Sequence, residues 1–211
     1  MLNDDVKKEV KKQFETLEED VKLLIFTQKV ECNYCEDNRT LASEVAELSD
    51  KITARVFDLE ADKEAAEKYG IDKIPAIAVV GQEDYGIRFF GIPAGYEFSS
   101  LLEAIKLVST GKAELAADTK TFLDNLQKDI HLQVFVTPTC PYCPGAVILA
   151  HKLARHSKRV KADMIEVSEF PHLGNKYGVQ GVPRTVINED VSQEGAAPEQ
   201  MLLEKIKSAV S

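Results

Sequence analysis

The sequence predicts an α/β protein made by tandem duplication of one unit, each unit a mixed central sheet flanked by helices. Three observations predict it. The four cysteines fall as two C-x-x-C pairs, Cys32/Cys35 and Cys140/Cys143, offset by 108 residues. The same offset carries Tyr34 onto Tyr142 and KYGIDKIP (68–75) onto KYGVQGVP (176–183). Between these markers strand-like and helix-like stretches alternate without a net insertion, so ARVFDLE (54–60) falls on ADMIEVS (162–168). Whole motifs repeating at one spacing mark a duplicated structural unit. A chain of 211 residues holds two units of about 100 each. The units are predicted over 1–112 and 113–211, joined around STGKAEL (109–115). That junction is not a Pro/Gly/Ser-rich tether, so the halves are expected to pack together.

An amphipathic helix opens each unit, with Val6, Val10, Phe14 and Leu17 on one stripe in the first, and Leu115 and Phe122 to Leu126 in the second. Apolar strands VKLLIFT (21–27) and HLQVFVT (131–137) then run towards the cysteines. A helix follows each pair, with apolar positions Leu41, Val45 and Leu48, and Val147, Leu149, Ala150 and Leu153. Next come a strand (TARVFDL, VKADMIEV), a short helix ending at Tyr-Gly, and a strand starting at proline (PAIAVV, PRTVI). Glycine after the short helix suits a left-handed C-terminal cap. A hairpin partner (IRFFG, VSQEG) and a last helix (SSLLEAIKLV, EQMLLEKIKSAV) complete the unit. Such an order implies a parallel pair with a crossover, followed by an antiparallel hairpin.

The net charge is −9, and residues 1–110 carry all of it, with 14 basic against 23 acidic side chains. An acidic surface repels nucleic acid and anionic membranes, so neither is expected as a partner. The longest apolar runs, such as AIAVV (76–80), fall far short of a membrane span. The charged start MLNDDVKKEVKK lacks the apolar core of a secretory signal, which places the protein in the cytoplasm. Thiols there are kept reduced, so paired cysteines are catalytic, redox-sensing or metal-binding.

Three chemistries fit a C-x-x-C pair. Zinc takes four thiolates, but 104 residues separate the two pairs and the repeat assigns them to different units. A structural bridge closing so small a loop constrains the unfolded chain little. In a redox pair at a helix start, the free N–H groups and the dipole stabilise a thiolate on the first cysteine. The second cysteine then resolves the mixed disulfide. Cys32 and Cys140 are therefore the expected nucleophiles, with Cys35 and Cys143 as resolving thiols. Glu31, Glu36 and Asp37 crowd the first pair, whereas Thr139, Pro144 and Gly145 flank the second. Carboxylates disfavour a thiolate, so Cys32 is expected to be the weaker acid and its site the more reducing.

The strand, the CPYC at a helix start and the later KYGVQGVP resemble the thioredoxin/glutaredoxin superfamily, in which CPYC is the characteristic glutaredoxin sequence. The tandem of CNYC and CPYC resembles the two-domain protein disulfide oxidoreductases, over essentially the whole chain. The resemblance implies two thioredoxin folds and thiol–disulfide exchange on protein substrates, with no cofactor beyond the redox disulfides and no metal. It implies cis prolines at Pro75 and Pro183, with Ile74 and Val182 offering backbone to an extended peptide. Tyr34 and Tyr142 are expected to pack against a partner. The buried aspartate of thioredoxin falls on Phe26 or Leu24, and on Val134, so neither unit keeps it. Asp58 and Glu166, at equivalent strand ends, are candidate substitutes. A thioredoxin-reductase-type flavoprotein or a peroxiredoxin is the implied partner. Alternatives are an electron-relay module of a peroxide-reductase system and a non-catalytic zinc or thiol scaffold. His131, His151, His156 and His172 have no metal-like spacing, and His151 and His156 are expected on a polar helix face.

Overall fold

Asn3 begins the first helix by accepting the Val6 N–H at 2.9 Å, the bond expected of an N-cap asparagine. In the computed structural model, which describes residues 1–210, that helix is α1 (Asp4–Phe14), and it buries Val10 and Phe14. The first unit continues as β1 (Val21–Thr27), α2 (Cys35–Ala46), β2 (Ile52–Asp58), α3 (Lys63–Tyr69), β3 (Ala76–Val80), β4 (Ile87–Phe90) and α4 (Glu97–Thr110). The second repeats the order as α5 (Ala117–Asp124), β5 (Ile130–Val136), α6 (Cys143–His156), β6 (Val160–Glu166), α7 (Pro171–Lys176), β7 (Arg184–Ile187), β8 (Val191–Glu194) and α8 (Glu199–Val210). Gly70 caps α3 in the left-handed conformation, at φ 63°, as the Tyr-Gly ending predicts.

The two units share one eight-stranded sheet, ordered β2-β1-β3-β4-β6-β5-β7-β8. Within the first unit, β1 runs parallel to β2 and antiparallel to β3, which pairs antiparallel with β4. Strand β4 then pairs in parallel with β6 of the second unit. The direction of β1 is thus also that of β5. One register row crosses the junction: Ile25, Ile77, Phe89, Met164 and Val134 are successive partners. Their side chains share one core with α1, α2, α4, α5, α6 and α8. The alternate positions, Leu24, Phe26, Phe90, Phe135 and Ile165, face α3 and α7. Joining through a backbone ladder with both faces covered holds the units as one body.

Two expectations are corrected here. Ser109 and Thr110 belong to α4, not to a linker. Ser109 is buried because its Oγ accepts the N–H groups of Glu18 and Glu19 at 2.9 and 3.0 Å and donates to the Glu19 carbonyl at 2.6 Å. His151 is not on a polar face: it is 1% exposed and packs edge-on to Phe89 at 5.0 Å. The helix packed against α6 is α4 of the other unit, so a face that is polar in one unit alone is covered in the pair.

The junction also explains Gly95. Its φ is +60°, and an added Cβ would overlap the Pro138 carbonyl oxygen. Gly95→Ala is expected to cost about 1–3 kcal/mol from left-handed strain and overpacking. A lowered urea midpoint at unchanged slope would show it.

Candidate active site

Each cysteine pair is set by the same local sequence: an apolar strand, a loop, and a helix whose first residue is the second cysteine. Cys35 opens α2 and Cys143 opens α6. Both pairs are closed disulfides with Cα atoms 5.5 Å apart. The resolving sulfurs are buried, Cys35 against the body of the first unit and Cys143 completely. The first cysteines differ: Cys32 is half-buried, whereas Cys140 is 8% exposed, less open than an outward nucleophile was expected to be. The backbone covers it, because the Cys140 Sγ lies 3.7 Å from the Val182 carbonyl oxygen.

That carbonyl belongs to the residue before Pro183, and both Ile74–Pro75 and Val182–Pro183 are cis. The proline carbonyls sit alike in the two units, Pro75 accepting from the Gly91 N–H and Pro183 from the Gly195 N–H, each at 2.8 Å. Tyr34 and Tyr142 both point outward, Tyr142 at 72% exposure. Around the first site, the Arg39 guanidinium grips both oxygens of Glu36 at 2.6 and 2.7 Å. Glu31 and Asp37 remain as exposed charges.

The two candidate carboxylates have different surroundings. Asp58 accepts the N–H groups of Glu60 and Ala61 at 3.0 Å and serves the turn after β2. Glu166 is buried and accepts the Glu169 N–H at 2.7 Å, leaving its Oε1 without a partner among the described residues. Glu169 accepts the Ile92 N–H at 2.8 Å across the unit junction. Burial pushes its carboxyl up to about 7, with the Glu166 charge adding to the rise.

The sequence reading missed Glu97. It is 1% exposed, and neither oxygen has a hydrogen-bond partner of ordinary geometry among the described residues. Burial pushes its carboxyl up to about 7, with the nearby Ser100 hydroxyl moderating the rise. It opens α4 of the first unit yet stands at the second site. Tyr96, the preceding residue, donates its N–H to Pro138 at 3.0 Å, in the loop that leads to Cys140. Because β4 and β5 are parallel, α4 and α6 start at the same end of the sheet and pack together. A glutamate in the first turn of a helix reads as an ordinary dipole partner. Only the pairing of β4 with β6 brings it to the other unit's cysteines, and no local signal encodes that. The first site has instead a buried neutral Asn38.

Zinc holds thiolate sulfur at about 2.3 Å. The two pairs leave strands four interstrand steps apart, about 19 Å, so they cannot share one ion.

The model of the thioredoxin domain family matches residues 130–208. Among solved structures, a protein disulfide oxidoreductase from Aeropyrum pernix superposes with a TM-score of 0.93 at 30% identity, covering 100% of this chain and 94% of that one. The chain belongs to the protein disulfide oxidoreductase family. Each of its units is a thioredoxin fold, and its paired cysteines are redox centres of that family. The NTD_N/C domain of the alkylhydroperoxide reductase AhpF from Enterococcus faecalis is also similar, at a TM-score of 0.89 and 25% identity over 100% of both chains. The alkyl hydroperoxide reductase AhpF of Staphylococcus aureus is 25% identical over 99% of this chain. This protein disulfide oxidoreductase chain spans 38% of the length of the curated relatives it matches. Among the described residues, no helix is long and apolar enough to cross a membrane.

Proposed function

We propose that the chain is a thiol–disulfide oxidoreductase acting on protein disulfides through both dithiol centres, in the cytoplasm and without a further cofactor. The observation that carries this reading is the pair at a helix start beside a cis-proline strand, with Cys140 Sγ 3.7 Å from the Val182 carbonyl. An extended substrate segment pairs with the backbone of Val182, or of Ile74 in the first unit, and so lays its disulfide over the first cysteine. The Cys140 thiolate attacks one substrate sulfur and releases the other as a thiolate. Cys143 loses its proton and attacks the Cys140 sulfur, which closes the protein disulfide and frees the reduced substrate. Glu97, with a carboxyl near 7, is the proton acceptor for that second step at neutral pH. Tyr34 and Tyr142 supply apolar contact for the partner.

The likeness to the alkyl hydroperoxide reductase AhpF over 99% of the chain supports a second reading, an electron relay between a flavoprotein and a peroxiredoxin. The two readings differ in the electron donor. Insulin reduction driven by dithiothreitol tests the first. Cys140→Ser is expected to lower that turnover without abolishing it, because Cys32 still works. Turnover only with a peroxiredoxin and a flavoprotein reductase would establish the relay instead.

A further inference from the structure

Whether electrons pass between the two centres is decided by the sheet that carries them. Ile25 on β1 and Val134 on β5 are the ends of one register row through Ile77, Phe89 and Met164. Four interstrand steps of about 4.8 Å put those ends about 19 Å apart. Twist of about 20–25° per step turns β5 by roughly 80–100° from β1. The cysteines lie beyond the row, Cys32 seven residues past Ile25 and Cys140 six past Val134, so the rotation carries them further apart. A disulfide needs its Cα atoms within about 7 Å.

Nothing in the joint lets the sites swing together. Strands β3, β4 and β6 fill the gap as a continuous ladder. Below it, α4 and α6 pack across the junction, and Tyr96 is bonded to Pro138 at 3.0 Å. Closing the remaining distance means breaking the β4–β6 ladder and opening a core that holds Phe89, Ile87, Ala162 and Met164, all fully buried.

We infer that the two dithiols do not exchange electrons within one chain: an electron pair that moves from one centre to the other passes through a second protein molecule, here a second copy. The inference deepens the proposed function and rests on its reading of both pairs as working dithiols. The two centres are parallel stations, each meeting its own partner, and not consecutive steps of an internal wire. In the intermolecular step, the Cys140 thiolate of one copy attacks the Cys32 sulfur of another copy's disulfide and expels the Cys35 thiolate. Cys143 of the first copy then attacks the Cys140 sulfur and expels the Cys32 thiolate. One dithiol is oxidised and one disulfide reduced, with two electrons and two protons transferred and no other reductant.

The test uses the full chain carrying Cys35→Ser and Cys143→Ser, which leaves one thiol in each unit. Alkylation by iodoacetamide first establishes that both thiols react; if neither does, the dithiol reading falls on its own. Diamide then takes two electrons and two protons from a pair of thiols, and non-reducing mass analysis reports what was joined. The expected product is a covalent dimer or longer chain, with linkage slowing about tenfold on a tenfold dilution, as bimolecular joining requires. Unlinked monomer alone, with the thiols oxidised separately, supports the same conclusion. A monomer cross-linked between Cys32 and Cys140, formed at a rate independent of dilution, overturns it. Circular dichroism of the variant against the parent chain checks that the fold is intact.

Discussion

Glu97→Gln is expected to slow the second centre on the order of 10²-fold while leaving the first unchanged, the usual scale for losing a positioned proton acceptor. The measurement needs single-centre proteins: Cys32→Ser/Cys35→Ser isolates the second pair, and Cys140→Ser/Cys143→Ser the first. Wild-type turnover at the second pair should rise as pH passes about 7, where burial has placed the Glu97 carboxyl, and the Gln variant should lack that rise. Glu97→Asp should recover part of it. Equal slowing of both centres, or a retained pH profile, would mean that Glu97 only supports the fold. Stability supplies an independent readout. A carboxyl raised from 4.5 to about 7 holds its proton better folded than unfolded. Its contribution is fully present below pH 4.5 and is lost as pH rises through 7. That rise corresponds to about 3 kcal/mol. The gap in unfolding free energy between Glu97→Gln and wild type should therefore move by up to about 3 kcal/mol in favour of Gln between about pH 4.5 and 8. The residue that speeds one centre thus costs stability at the pH where it works.

The duplication made most of the fold legible. Cys32 and Cys140, Pro75 and Pro183, and Gly70 and Gly178 mark equivalent points of a repeat, and short-range chemistry decides the elements between them. The apolar run VKLLIFT gives a strand with two buried faces, and β1 spans those seven residues. What escaped were consequences of how one unit meets the other. Ser109 reads as linker until its hydroxyl is seen holding Glu18 and Glu19. His151 reads as a polar-face residue until α4 covers it. Glu97 reads as a helix-start charge until β4 pairs with β6. The flanks of the first centre were counted as three carboxylates, but Arg39 is bonded to both oxygens of Glu36. That leaves Glu31 and Asp37, exposed and screened by salt, to raise the Cys32 thiol. Against this, Cys140 is the more buried sulfur, and burial disfavours its thiolate too. The acidity order read from charge alone is therefore narrowed by the structure, and Glu97 becomes the stronger source of difference between the centres.

His151→Leu is expected to make the chain markedly more resistant to acid. The imidazole is 1% exposed between Phe89 and the α4–α6 contact, and neither nitrogen has a hydrogen-bond partner of ordinary geometry among the described residues. Burial lowers its pKa from 6.5 to about 3, so the folded chain keeps it neutral. Unfolded chains protonate the same side chain at about 6.5. Its contribution is thus fully present above pH 6.5 and is lost as pH falls towards 3, by about 2 kcal/mol at pH 5 and by roughly 4–5 kcal/mol in full. Glu97 and Glu169, both raised to about 7, act in the opposite sense over the same range, since they gain protons in the fold as acid is added. Three titrating groups at one junction therefore partly cancel, and a wild-type pH–stability curve alone cannot assign them. Removing His151 uncovers the two glutamates. The Leu variant, close in volume to imidazole, should lose less stability than wild type between about pH 7 and 5, by about 2 kcal/mol in urea unfolding. His151→Gln should show the same change in pH slope with a lower overall stability, because it keeps an unsatisfied polar group in the same place. Parallel pH curves for all three proteins would show that His151 is already protonated in the fold or reaches water. A flat residual in His151→Leu/Glu97→Gln would place the remaining slope outside this junction, whereas a slope centred near pH 7 points to Glu169.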